Sequence, residues 1–209
     1  MVNRDTERSN TQKSILRAAE EEFMEYGYDA AKTVRIATAA GVTHAMLHYY
    51  FGTKQRLFNK VFEDKMQLLA QSLSLPLTNG DSPIQEKIVL LVEAHFDFIA
   101  ANPKLPRFII NELVSNPERM AWFKETVRKI AKPLLAQMQN EADLAAERRE
   151  ICKTDVFDLI VDIVSLNVFP FLAMPVICAI KEGIADDTES FIRSRRRESA
   201  EIILQRLKP

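Results

Sequence analysis

The segment covering residues 36–57, which reads IATAAGVTHAMLHYYFGTKQRL, constrains this chain more than any other part of it. Ala37 is small enough to let two helices approach closely, and Gly41 supplies the left-handed backbone that a tight turn between them requires. Leu47 is placed to seat the second helix on the first. This spacing predicts a helix-turn-helix whose second helix covers residues 44–50. In such a unit the second helix normally lies in the major groove of DNA.

Charge is distributed unevenly around this motif. Residues 30–62 contain no Asp or Glu but hold five Lys and Arg residues, and His44 and His48 add two imidazoles. The whole chain carries a net charge of −1, so its total charge gives no indication of phosphate binding. The local excess of cations around the motif does favour binding to phosphates. The alternative is an ordinary solvated charged surface, which the coincidence with the helix-turn-helix disfavours.

Composition favours a helical protein of moderate size. The chain has 209 residues, 47% of them hydrophobic, and only 5 Gly, which argues against a strand-and-turn architecture. Cys152 and Cys178 show no pairing pattern and the N-terminus lacks the apolar core of a leader, so we expect a cytoplasmic protein with free thiols. The longest apolar run, residues 168–180, is broken by Pro170 and Pro175 and is too short to span a bilayer, so no membrane partner is expected.

Helical periodicity and capping residues divide the chain into helices. A capping-box pattern at residues 9–12 predicts the start of the first helix, and Gly27 predicts its end. Thr33, Thr43 and Thr53 are placed to cap the next three helices. Residues 78–83 are predicted to form a loop, and further helices are predicted from residue 84, from residue 104, after Pro117 and over residues 187–207.

The last third of the chain is unusually apolar. Residues 156–168 have hydrophobic side chains on more than one helix face, and such a helix has to be covered on several sides. The simplest cover is a second copy, so we predict a homodimer through residues 156–180 and 187–207. The alternative is a helix buried inside the monomer. The side chains predicted at the dimer interface are Phe157, Ile160, Val164, Ile203 and Leu204.

Three sequence pieces, AEEEFMEYGYDA, VRIATAAGVT and LHYYFGTKQRLF, follow one another at fixed spacing within residues 11–60. Over this stretch the chain resembles the TetR/AcrR family of bacterial transcriptional regulators. The rest of the chain matches that family only in helical character and length. The resemblance implies an all-α fold. Residues 1–52 would form a three-helix DNA-binding head with the helix-turn-helix, and residues 53–209 a helical bundle that binds an effector and dimerises.

The resemblance also implies roles for individual residues. In TetR-like proteins the residues matching His44, Ala45 and His48 face the groove and often contact bases. Lys54 matches a residue that typically binds phosphate at the start of the fourth helix. The position matching Val34 is often Arg in the family, and valine cannot hydrogen-bond a base. The residues that match common contacts to backbone phosphates are Thr33, Thr43, Tyr49 and Tyr50.

His44 and His48 are four residues apart on one helix, which is a spacing that metal sites also use. Zinc-protease helices require Glu directly after the first His, and this chain has Ala45 there, with no acid or Cys nearby. We therefore predict no metal at this pair and no cofactor elsewhere, and we expect both histidines to face DNA.

Polar and aromatic side chains in the second domain predict a ligand pocket. His95 and Asn111 lie within otherwise apolar helical faces, where an unpaired polar group costs roughly 1–3 kcal/mol. Each must meet a ligand, a water or a backbone group. The aromatic candidates for the pocket lining are Phe98, Phe108, Trp122 and Phe123. The alternative is a helical core in which His95 is a buried, satisfied histidine.

These observations predict a homodimeric regulator that binds double-stranded DNA at an inverted-repeat operator. We expect a repressor released by an unidentified small-molecule effector, because a ligand that favours another dimer geometry moves the two heads out of register with successive major grooves. Two alternatives stay open. One is a TetR-like DNA-bound structural or cell-division factor without an inducer, and the other is an enzyme built on a helical bundle, for which no motif gives a positive case.

Overall fold

The computed structural model describes residues 2–75 and 82–209. Within these residues the chain forms α-helices and no strand, which confirms the predicted all-α fold. The predicted loop at residues 78–83 lies largely outside the described residues. The helices are α1 (Val2–Ala30), α2 (Thr33–Ala39), α3 (His44–Phe51), α4 (Lys54–Ser74), α5 (Ile84–Ala101), α6 (Leu105–Ser115), α7 (Pro117–Glu147), α8 (Val156–Leu172), α9 (Met174–Ile180) and α10 (Thr188–Arg206).

The helices group into two compact units. The first unit comprises the described residues up to Gln67 together with Phe108–Phe123, and the second comprises those of Leu68–Arg107 and Lys124–Pro209. This grouping by packing differs from the predicted division after residue 52. The functional division at that residue stays a prediction. The fully buried hydrophobic side chains of the first unit are Ile15, Ala19, Phe23, Ile36, Leu47 and Leu57.

Aromatic side chains explain why parts of α6 and α7 belong to the first unit. Phe58 of α4 lies 5.8 Å from Phe108 of α6, measured between ring centroids. Phe62, one turn further along α4, lies 5.5 Å from Trp122 and 5.0 Å from Phe123 of α7. Such aromatic pairs add about 0.5–1.5 kcal/mol each beyond the area they bury. They fasten two helix segments to α4 that are distant in sequence from the helix-turn-helix.

The second unit is a helical bundle in which α5, α8 and α10 pack on one another. Its core runs through α5, α7, α8 and α10, with Val92 and Ile203 almost completely buried. Helix α8 buries one stripe in this core and leaves other apolar side chains exposed on the chain's surface. The most exposed of these are Phe157, Val161, Val164 and Phe169.

Two of the three predicted threonine caps are present. The Thr43 hydroxyl accepts a hydrogen bond from Met46 N at 3.2 Å, and the Thr53 hydroxyl accepts one from Arg56 N at 3.2 Å. The prediction for Thr33 is wrong, because Lys32 occupies the cap position of α2 and Thr33 is already helical.

The predicted start of the first helix is also wrong. Helix α1 begins at Val2 and runs through residues 9–12, where the Thr11 hydroxyl donates to Glu7 O at 2.9 Å as in a continuing helix. Residues 2–8 contain no Gly or Pro to oppose helix formation, so the capping-box pattern has no helix start to mark. Gly27 leaves the helical conformation at φ 71°, as its sequence position predicts.

In the described part of the chain no single helix is long and apolar enough to cross a membrane. Only the pair α8 and α9 would reach that length and composition together, and the two helices are bent by 70° at the break between them.

Candidate nucleic-acid interface

Helices α2 and α3 form the predicted helix-turn-helix. Gly41 lies in the turn at φ 69°, a left-handed conformation that a side chain would strain. Backbone bonds close the turn, from Gly41 N to Thr38 O at 3.1 Å and from Val42 N to Ala37 O at 3.0 Å. Leu47 is fully buried where α3 packs on its neighbours. The skeleton read from Ala37, Gly41 and Leu47 is confirmed.

Helix α3 presents one face to solvent. The side chains of His44, Ala45 and His48 are exposed, and Tyr49 is 72% exposed. Tyr50 is half-buried and packs its ring 5.3 Å from that of Tyr49. Apart from Leu47 and Tyr50, the residues that the sequence assigned to the second helix of the motif are exposed to solvent. Beside them on α2, Thr33 is half-buried and Val34 is exposed.

The two histidines of α3 are held by different partners. His44 Nε2 lies 2.9 Å from the Thr33 hydroxyl, and His48 Nδ1 lies 2.5 Å from Gly52 O. The rings meet edge to face, with centroids 4.5 Å apart. Among the described residues no group of three or more His, Cys, Asp and Glu could hold a metal ion. One ring nitrogen of each histidine is thus engaged in a hydrogen bond.

Arg8 is a candidate contact that sequence reasoning missed. It lies on the N-terminal part of α1, and its guanidinium carbon is 5.9 Å from the ring centroid of Tyr49. The added turns of α1 therefore carry a cation to the edge of the exposed α3 face. The signal in the sequence is the polar stretch before residue 9, which contains no Gly or Pro to end a helix.

Lys54 begins α4, as predicted, and is partly enclosed. Its ammonium donates to Asp29 O at 3.2 Å and lies 4.7 Å from the ring centroid of Tyr28. Burial lowers the pKa of Lys54 below its usual value. The backbone and ring contacts fix the position of the charge at the start of α4.

Arg35 is not a free cation of the basic segment. Its guanidinium donates to both carboxylate oxygens of the buried Glu22, with Nε at 2.8 and 3.0 Å, and it also donates to Ala30 O. Burial alone would raise the pKa of Glu22, but the hydrogen bonds from Arg35 and from Lys32 N outweigh it and hold that pKa below its usual value. Folding therefore removes one of the five cations from the charge available to DNA.

A second polar cluster lies in the first unit beneath these residues. Glu112 of α6 accepts a hydrogen bond from Tyr28 N at 2.8 Å and lies 3.0 Å from Arg119 Nε. The latter contact is an ion pair whose alignment is too poor for a hydrogen bond. Glu112 Oε2 and Arg119 Nε are therefore buried without a hydrogen-bond partner. Arg119 also approaches Asp29 at 3.4 Å, and its guanidinium carbon lies 4.5 Å from the centroid of the Tyr28 ring, which Lys54 contacts too. The α6–α7 segment is thereby tied to the end of α1.

The residues predicted to line a pocket fall in two different units. Phe108, Trp122 and Phe123 belong to the first unit, where they surround a cavity of about 10 Å³, room for one water at most. Asn111 also lies in this unit but is exposed, so the expectation that it sits on a buried apolar face is wrong. The α6 helix turns its Glu112 inward instead.

His95 and Phe98 lie in the second unit, on α5. His95 is 6% exposed, and its Nδ1 is 3.1 Å from the Asn167 amide, which also donates to Val92 O at 2.9 Å. Burial lowers the pKa of His95 to about 4. Asn167 on α8 is fully buried and supplies the partner that the sequence could not identify. Its Oδ1 and the hydroxyl of Ser199 are buried without a hydrogen-bond partner.

The residues predicted at a dimer interface differ in exposure. Phe157 is 63% exposed, Val164 is exposed, and Ile160 and Leu204 are half-buried. Ile203 is 1% exposed within its own chain and therefore offers no surface to a partner. The sequence pattern of α10 did not show which of two adjacent isoleucines faces outward. The structure shows Ile202 exposed and Ile203 in the core.

A helix-turn-helix with an exposed second helix and flanking cations defines a DNA-binding protein. Residues 15–61 match the family described as "Bacterial regulatory proteins, tetR family". Residues 15–61 therefore carry the DNA-binding domain of TetR-family transcriptional regulators. Relatives of this chain are transcriptional regulators and not enzymes.

Two curated relatives and one solved structure illustrate the similarity. The chain is 27% identical to the transcriptional activator FasR of Mycolicibacterium smegmatis over 157 residues, which are 74% of this chain and 71% of that protein. It is 34% identical to the transcriptional repressor SCO4008 of Streptomyces coelicolor over 112 residues, which are 54% of this chain and 53% of that protein. The fold is similar to that of FadR from Bacillus subtilis in complex with stearoyl-CoA, with a TM-score of 0.69, 20% identity, and coverage of 93% of this chain and 98% of that chain.

Proposed function

We propose that this protein is a homodimeric repressor that binds an inverted-repeat operator in the cytoplasm and is released from it by a small-molecule effector. The observation that carries the proposal is the exposed face of α3, with His44, Ala45 and His48 on a helix-turn-helix scaffold. A dimer of such heads reads two half-sites related by twofold symmetry, about one helical turn apart.

The proposed DNA contacts divide into base-reading and phosphate-binding groups. His44, Ala45 and His48 face base edges, and exposed Val34 packs on a thymine methyl group, since it has no hydrogen bond to offer. Phosphates are held by hydroxyl groups and cations around this face, which position the head without reading sequence. The proposed phosphate contacts are Thr33, Thr43, Tyr49, Tyr50, Lys54 and Arg8.

The proposed dimer interface is the apolar surface of α8, extended by Ile202 of α10. Phe157, Val161 and Phe169 expose large apolar side chains along α8, and a contiguous surface of this kind is unfavourable in water. A second copy covers it with the same residues, as twofold symmetry requires. Such an interface is needed for two heads to act on one operator.

We propose that the effector is an amphipathic acyl compound bound in the second unit. A small apolar cavity of about 30 Å³ between α5, α7 and α8 adjoins a polar groove, and both are lined by Ile84, Lys87 and Glu141. Lys87 is buried, and its Nζ lies 3.1 Å from Glu141 Oε2. Its ammonium group therefore lies between the cavity and the groove, where the polar end of an acyl compound would be. FadR of Bacillus subtilis, which has a similar fold, binds stearoyl-CoA.

A cavity of this size holds only water, so an acyl chain enters it only if α5, α7 and α8 move apart. The ligand then stabilises a form of the second unit that the unliganded chain rarely adopts. A hundredfold preference for that form supplies roughly 2.7 kcal/mol per site, which is enough to release a moderately tight operator complex.

Operator selection from a random library, followed by binding measurements over a range of salt concentrations, tests the DNA-binding part. Affinity for the selected inverted repeat should fall steeply with salt because counterions are released. Arg8→Ala and Lys54→Ala should each weaken binding to all sequences alike and reduce the salt slope by about one unit. The control Arg128→Ala, an exposed arginine of the second unit, should change neither. Unchanged salt slopes in both test variants would contradict the proposed placement.

Release of the operator by stearoyl-CoA tests the effector. Lys87→Met should require a higher concentration of stearoyl-CoA for release while leaving operator affinity intact, because Glu141 remains partly solvated. Lys132→Met, at an exposed site on α7, is the matched control. A reporter gene behind the operator decides between repression and activation, and the curated relatives include an example of each.

A further inference from the structure

The geometry points to His48 as a fixed hydrogen-bond acceptor that selects an exocyclic amino group, on cytosine or adenine, at one position of each half-site. This inference rests on the proposed function, since it assumes that α3 lies in the major groove. It adds which chemical group His48 reads and why the protein fold decides that choice.

The His48 ring is locked onto the C-terminal end of its own helix. Its Nδ1 lies 2.5 Å from Gly52 O, and in return Gly52 N donates to the backbone oxygen of His48 at 2.8 Å. Gly52 adopts φ 71°, a left-handed conformation that lets the chain turn back at this point. The side chain and the backbone of His48 are therefore both tied to one glycine.

This contact fixes the position of the ring proton. A carbonyl oxygen can only accept a hydrogen bond, so Nδ1 of His48 must carry the hydrogen. A neutral imidazole has a single N–H, and Nε2 of His48 is then an acceptor with a lone pair. In the described part of the chain Nε2 has no hydrogen-bond partner, and the residue is exposed on α3.

His44 provides an internal contrast. Its Nε2 is bonded to the Thr33 hydroxyl at 2.9 Å, and a hydroxyl can either donate or accept. Its ring can therefore switch tautomer to suit whatever it meets. Of the two exposed histidines on the same helix, only His48 is held to one hydrogen-bonding role.

An acceptor discriminates among bases in the major groove. Cytosine N4 and adenine N6 carry donor hydrogens there, whereas guanine offers the acceptors O6 and N7, and thymine offers O4 and a methyl group. A neutral His48 with its lone pair on Nε2 bonds the first two bases and repels the acceptors of the others. The shared feature of the favoured bases is an amino group.

The first arm of the experiment measures the tautomer in the full-length protein without DNA. Nitrogen-15 chemical shifts of the His48 ring at pH 8 should show hydrogen on Nδ1 and none on Nε2. His44, measured in the same sample, is the comparison, because its contact with the Thr33 hydroxyl allows either tautomer. Hydrogen on Nε2 of His48 would overturn the inference whatever the DNA result.

The second arm measures base preference at the same pH, with operators selected by the wild-type protein. His48→Ala should remove the preference at one position per half-site. His48→Arg, which has only donors, should convert that position to guanine. Replacing the favoured base by its analogue without the amino group, 2-pyrimidinone for cytosine or purine for adenine, should weaken wild-type binding by roughly two- to twelvefold. The same analogue should leave His48→Ala binding unchanged.

The two arms separate the failure of this inference from the failure of the proposed function. A guanine or thymine preference at the position lost in His48→Ala, or no position lost at all, would overturn the inference while leaving DNA binding intact. Equal binding of the wild-type protein to all sequences would overturn both. A preference of the wild-type protein for cytosine or adenine that is lost when the base lacks its amino group would support the inference.

Discussion

At the scale of single residues, the buried polar side chains find partners that lie far away in the sequence. Glu112 meets Tyr28 across 84 positions, and Asn167 meets His95 across 72. Breaking a buried pair is more costly than the pair is stabilising, because the remaining partner is left without solvent or protein contact. These pairs therefore fix which helices can be neighbours.

His95 predicts an acid-sensitive component of stability. Its pKa is lowered from 6.5 to about 4 by burial, so the unfolded chain binds more protons than the folded chain between these values. The free energy of unfolding should therefore fall as the pH drops from about 6.5 to 4, by about 3 kcal/mol for this residue, and be unaffected by it above pH 6.5.

Urea unfolding at several pH values measures this loss. His95→Gln cannot gain a proton, so the difference in unfolding free energy between the wild type and this variant should shrink by that amount towards pH 4. Leu90→Gln, at an exposed residue that does not titrate, is the control and should keep the wild-type slope. A pH-independent difference for His95→Gln would show that His95 is not buried as described.

At the scale of helices and turns, two of the left-handed glycines of the first unit serve different purposes. Gly41 turns the chain between α2 and α3, and an added Cβ would meet nothing within 4 Å. Gly27 breaks α1, and an added Cβ would lie 3.1 Å from Glu112 Oε1, the oxygen that accepts the Tyr28 N–H. One glycine is required by backbone conformation alone, and the other by conformation and by close packing.

Alanine substitution should separate these two requirements. Gly41→Ala should destabilise the protein by about 1 kcal/mol, the strain of a left-handed residue. Gly27→Ala also displaces the Glu112 carboxylate, so we expect it to lower the free energy of unfolding by at least about 1 kcal/mol more than Gly41→Ala does. Gly183→Ala, which is also left-handed and has open space around it, is the control and should match Gly41→Ala. Equal losses at all three sites in urea unfolding would contradict the described contact with Glu112.

At the scale of the whole molecule, the apolar surface of α8 requires a cover. Phe157→Asp should yield a folded monomer, because two carboxylates would be buried without partners at a twofold interface. Phe157 is 63% exposed in the single chain, so this change leaves the core of the second unit intact. Light scattering at micromolar concentration should show a dimer for the wild type.

Leu90→Asp on α5 is the matched control for this measurement. Leu90 is an exposed apolar residue outside α8 and α10, and its substitution should leave the dimer unchanged. A monomeric wild type, or a Phe157→Asp variant that stays dimeric with an unchanged dissociation constant, would refute the proposed interface.

The sequence alone determined what depends on neighbouring residues along the chain. The helix-turn-helix, the caps at Thr43 and Thr53 and the breaks at glycines follow from local backbone geometry, so the short spacing of Ala37, Gly41 and Leu47 was sufficient. Helical periodicity likewise fixed the all-α fold class, because an apolar stripe needs only one helix to define it.

Only the tertiary structure decided which side chains meet. The basic segment contained Arg35 as a fifth cation, but Glu22 of α1 pairs with it and offsets its charge. Ile202 and Ile203 differ by one position, and packing of the bundle selected which one is buried. Such contacts depend on the relative placement of helices, which no pattern along a single helix contains.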